Sequence, residues 1–172
     1  MRYVVAAATA FFLAVLGVSA MPYVKVLGVT PDLILIFAVT WMMVRGQREA
    51  AVVVPVAGLM RDLTTSDPVG TSVLALSPIV LLAVVRELKA VESELVLTLI
   101  VAVLASLIYG LLSMMVLTAT GQGFPLLDGL LWVVLPSLVV NALFVPIIYL
   151  PMRWLSAEPV PGLSRAHRTM PL

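Results

Sequence analysis

Charges are scarce along this chain, and the few that occur cut it into long apolar blocks. Residues 3–24, 68–85, 95–127 and 129–152 are uncharged runs, each at least as long as the roughly 17–25 residues a bilayer-spanning helix needs. Two further runs, 33–44 and 50–60, are too short to cross a hydrocarbon core of roughly 30 Å at about 1.5 Å per residue. They become spans only if charged residues lie at or just inside their ends. That places a second helix over 31–45 and a third over 48–65. The pattern therefore predicts six helices, with the others near 3–22, 69–86, 95–118 and 130–152.

The loops orient these helices. With the N-terminus in the cytoplasm, the inner positions hold Arg2, Arg45, Arg48, Arg86, Lys89, Arg153, Arg165 and Arg168, while the outer ones hold only Lys25 and Arg61. This is a strong positive-inside bias, and five or seven helices would spoil it. Aromatic residues agree: Tyr3, Trp41, Tyr149 and Trp154 fall near the inner interface, Tyr23 and Trp132 near the outer one. Arg2, an apolar run and Val18-Ser19-Ala20 also resemble a signal peptide with a small-residue cleavage site. We read the run as a retained first helix, so that both termini are cytoplasmic.

Composition strengthens the membrane reading. Of 172 residues, 62% are hydrophobic and 11% charged, against about a quarter charged in a soluble domain. The mean hydropathy is +1.17. The chain reads as an all-α integral membrane protein: one six-helix transmembrane domain over residues 1–155 and a flexible, Pro-rich cytoplasmic tail over 156–172. Residues 86–94 form a charged inner connector, and 121–128 an outer loop or short re-entrant piece. No charge block interleaved with aromatics suggests nucleic-acid binding.

Little reactive chemistry is on offer. Cysteine is absent, which removes thiolate catalysis and Cys-based metal sites, and the single histidine, His167, lies in the tail. Gly121-Gln122-Gly123 begins like a phosphate loop but lacks its third glycine, its lysine and a preceding strand. We expect no enzymatic activity, no cofactor and no metal. Ala6, Ala10 and Ala14, and again Ala102, Ser106 and Gly110, recur every four residues, a spacing that lets helices approach closely. Packing within the bundle is the preferred reading, a partner surface the alternative. Asn141 and Tyr109 fall mid-helix; an interhelical hydrogen bond is preferred over contact with a ligand in a central cavity. Pro55, Pro136 and Pro146 kink their helices, which suits either a packed irregular bundle or a cavity.

The segment GLMRDLTTSDPVG, residues 58–70, is the strongest signal. Asp67 suits a helix N-cap and Pro68 the first helical position, with Gly70 following. Gly58, one turn before Asp62, leaves room for a neighbouring backbone. Arg61 and Asp62 are drawn to membrane depth by the shortness of the third helix, and groups at that depth usually have partners. We expect them to form a polar pair that fixes the outer ends of the third and fourth helices.

This middle region resembles the rod shape-determining protein MreD family. The likeness rests on Pro31-Asp32-Leu33 opening the second helix, Arg45-Gly46 at the inner turn, Gly58-Leu59 with Asp62-Leu63 ending the third helix, and Pro68 with Gly70 opening the fourth. It is strongest over residues 30–76; Glu49-Ala50 stands where a glycine is expected nearby. The resemblance implies a multi-pass protein of the bacterial inner membrane, without enzymatic activity. It would act as a scaffold of the rod complex, or elongasome, in cell-shape maintenance and peptidoglycan synthesis. Its implied partners are MreC, directly, and more widely RodA, its transpeptidase partner and MreB, with membrane lipid around the bundle. The family fold is similar to the six-helix substrate-binding subunits of energy-coupling-factor transporters. That similarity keeps a solute-binding transport subunit as the alternative.

Overall fold

The structure is a computed structural model that describes residues 2–66, 68–87, 93–121 and 126–156. Among the described residues, the chain forms six helical rods. The first three are the single helices α1 (Arg2–Ser19), α2 (Leu33–Arg45) and α3 (Gln47–Asp62). The fourth runs from α4 (Thr71–Leu76) through a 3-10 stretch (Ser77–Ala83) into α5 (Val84–Glu87). The fifth is α6 (Glu94–Ala119). The sixth joins α7 (Leu126–Gly129), a π-helical turn (Leu130–Val134) and α8 (Leu135–Ser156). Two of the rods, Glu94–Ala119 and Leu127–Trp154, are long and apolar enough to cross a membrane.

At the centre stands α2. Its 13 residues extend only about 20 Å, and every residue from Leu33 to Met43 is buried. It is wrapped by α1, α3, α6 and α8. The outer helices show the reverse of soluble amphipathicity. On α6 the inward stripe is Leu97, Thr98, Val101, Ala102, Ala105 and Ser106, small or polar in four of its six positions, while Val96, Ile100, Leu104, Leu111 and Met115 face outward. On α8, Asn141 points in and Val139, Leu143 and Ile147 point out. A bundle with apolar sides on the outside suits a lipid environment.

The small-residue stripes serve internal packing. Ala6, Ala10 and Ala14 are buried on α1, which packs on α2 and α3. A Cβ added at Gly110 would meet the Val134 side chain at 2.8 Å. Helix α2 turns into α3 through Gly46 alone, whose φ of +89° lies in the left-handed region that favours glycine. The irregular turns have local causes. Pro78 opens the 3-10 stretch, and the widened π turn lies just ahead of Pro136, which has no N–H to donate backwards.

Trp41 and Tyr149 are 7% and 2% exposed and pack into the core, each close to an arginine of its own helix, Arg45 and Arg153. Tyr3, Tyr23, Trp132 and Trp154 are exposed.

Candidate functional site

At the end of the bundle where α2 begins, the last turn of α3 sends two adjacent charged side chains in different directions. Asp62 is 2% exposed and turns toward the fourth rod. Its carboxylate accepts the Gly70 N–H at 2.7 Å and the Ser72 N–H at 2.9 Å. Both oxygens are thus engaged by backbone donors at the start of α4. A carboxylate at a helix C-terminus is normally disfavoured, and here the N-terminus of the next helix compensates it. Gly58 makes the approach possible, since an added Cβ would stand 2.9 Å from the Val73 Cα and 3.0 Å from the Ser72 carbonyl.

Arg61 turns the other way. It forms a close ion pair with Asp32, and its guanidinium lies 5.0 Å from the ring centroid of Tyr109. The two side chains thus make separate ties: Asp62 joins α3 to α4, and Arg61 joins α3 to the Asp32 cap of α2. Asp32 is the N-cap of α2 and accepts the Leu35 N–H at 3.1 Å. Its own N–H donates to Asn141 Oδ1 at 2.8 Å, and Asn141 Nδ2 donates to Ser106 Oγ at 3.0 Å. One connected polar chain thus joins α3, α2, α8 and α6. Asn141 makes the interhelical bonds preferred for it, and together with Tyr109 it also lines a cavity.

That cavity, of about 670 Å3, occupies the space above the short central helix. Asp32, Arg61, Ser106, Tyr109 and Asn141 supply polar groups; the walls are mostly apolar and come from the ends of α1, α6 and the sixth rod. Away from this end, α2 sits in a cluster of mostly aliphatic side chains, with Thr40 and Thr98 the buried polar residues on α2 and α6 there.

The remaining sequence-based candidates fall as follows. Pro31 is buried immediately ahead of Asp32. Gly70, with φ of +102°, is the N-cap of α4, so the fourth helix starts at Thr71 and not at Pro68. Pro68 instead lies in the turn, where its carbonyl accepts the Thr71 N–H and hydroxyl. Asp67, expected as that cap, lies outside the described residues. Arg45 and Gly46 lie at the opposite end, with the Arg45 guanidinium 5.8 Å from the Trp41 ring centroid. Lys25 and Ser113, which also line the cavity, drew no attention as site residues in the sequence because each sits alone among unremarkable neighbours.

A model of the rod shape-determining protein MreD family matches residues 1–155, from the first rod through the sixth. The chain belongs to the MreD family. Membership brings a role in the determination of rod shape, within a family of structural membrane proteins rather than enzymes. No curated protein and no solved structure matches the chain. The residues on which the sequence resemblance rests lie at the two ends of the bundle: Asp32, Gly58, Asp62, Pro68 and Gly70 at one, Arg45 and Gly46 at the other.

Proposed function

We propose that this MreD-family chain is a non-enzymatic, six-span scaffold of the bacterial inner membrane, with both termini cytoplasmic, that docks MreC in the rod complex. The family match over the whole bundle carries this reading. The geometry supports it, because each oxygen of the buried Asp62 carboxylate accepts a backbone N–H from the next helix, which suits positioning helices. The Asp62 corner and the Asp32–Arg61 pair would hold the outer ends of the rods rigid, and a partner helix would pack on the apolar flanks. RodA, its transpeptidase and MreB complete the assembly. Co-expression with a tagged MreC and capture from mild detergent tests the proposal. Recovery of the chain with MreC supports it; failure of the two to associate overturns it.

The cavity favours a second reading, a solute-binding transport subunit like those of energy-coupling-factor systems, since Asn141 and Tyr109 do line a space. The aliphatic packing around the rest of α2 weighs against a deep solute site. A transport subunit would co-purify with an ATPase module rather than with MreC.

A further inference from the structure

The cavity at the Asp32 end has a volume within the range of ligand sites, roughly 300–1,000 Å3. Three observations say what would fit it. First, it is continuous with the outward face of the bundle: Val18, Trp132 and Val133 line it and are also 48%, 75% and 45% exposed. A ligand can reach it sideways, along surface that faces lipid. Second, the charged lining residues are Lys25, Arg61 and Asp32, so the positive charge exceeds the negative. Arg61 is held in place by Asp32 and Tyr109, while Lys25 is exposed near the mouth and makes no ion pair among the described residues. Third, the space beside α1 is open, since a Cβ at Gly17 would meet nothing within 4 Å.

We propose that this cavity is a binding site for an anionic membrane phospholipid. The lipid phosphate sits at the cationic end lined by Lys25 and Arg61, and the upper acyl carbons lie along the apolar wall of α1 and the sixth rod. Asn141 and the serine hydroxyls offer hydrogen bonds to the glycerol region. A free inorganic anion would leave those walls wet, and a zwitterionic head would gain little from the excess positive charge. A preorganised cation loses less on binding than a mobile one.

The inference rests on the membrane-embedded reading. Full-length chain in mild detergent is titrated with phosphatidylglycerol, phosphatidylcholine or inorganic phosphate and read by native mass spectrometry. The expected result is one bound phosphatidylglycerol, favoured over phosphatidylcholine. In Gly17→Phe, which fills the open space, phosphatidylglycerol affinity falls roughly tenfold or more, with helix content unchanged. Lys25→Glu, on an exposed loop, abolishes the preference for phosphatidylglycerol and decides the matter should Gly17→Phe fold poorly. Equal binding of the two lipids, unchanged binding in both variants, or phosphate alone binding as tightly as the lipid overturns the site. A chain that stays dissolved without detergent overturns the membrane reading instead.

Discussion

Asp62 and Gly70 are joined by a hydrogen bond of 2.7 Å, in which the glycine amide donates to the carboxylate across the corner between α3 and α4. Ser72 donates to the other carboxylate oxygen, so one side chain organises the whole turn. Charge-assisted bonds of this kind contribute about 1.5–3 kcal/mol each, and orphaned buried donors add a penalty. Asp62→Ala should therefore destabilise the bundle by about 3 kcal/mol or more, and Asp62→Asn, which keeps one acceptor, by less. Thermal unfolding in detergent measures both, and equal stability of Asp62→Ala and the wild type would remove Asp62 from its place as the anchor.

Glycines of the same residue type should respond oppositely. Gly58→Ala drives a methyl group against the Val73 and Ser72 backbone, which cannot yield as a side-chain tip would, and should cost about 1–3 kcal/mol. Gly17→Ala meets open space in a helix and should be neutral or stabilising by up to about 1 kcal/mol. The same unfolding assay ranks them.

These corners show what the sequence could and could not reveal. The rods were readable because bilayer thickness sets a length and charged or turn residues punctuate it. The close approach at Gly58 was readable from a glycine one turn before a carboxylate. The partners of Asp62 were not, because they are backbone amides, which leave no mark in residue type. Arg61 and Asp32 lie 29 positions apart, and nothing local pairs them before the helices are assembled. The burial of Trp41 was not readable either, because it follows from the helices that wrap α2 and not from its neighbours in sequence.

The Asp32–Arg61 pair should show coupling. Arg61→Met leaves the partly buried Asp32 carboxylate without its cation, and Asp32→Asn does the converse to Arg61. Each single change should destabilise by about 2–4 kcal/mol, and the double variant should recover part of the loss. Strict additivity in a double-mutant cycle would mean the pair contributes nothing of its own.

Asn141→Leu removes the bonds from α8 to the Asp32 amide and to Ser106. Interhelical bonds of this type contribute about 0.6–2 kcal/mol, and the loss should be of that size. If stability is unchanged while ligand binding falls, Asn141 serves the cavity rather than the bundle.

Sidedness tests the central claim most directly, that six spans place the polar network at the outer face. The chain has no cysteine, so single cysteines can be introduced at Tyr23, Gln47 and Thr120, all exposed in the turns between or at the ends of rods. Labelling of intact spheroplasts with a membrane-impermeant maleimide should modify Tyr23→Cys and Thr120→Cys, and should modify Gln47→Cys only after the membrane is opened. Labelling of Gln47→Cys from outside, or protection of Tyr23→Cys and Thr120→Cys, would contradict the account.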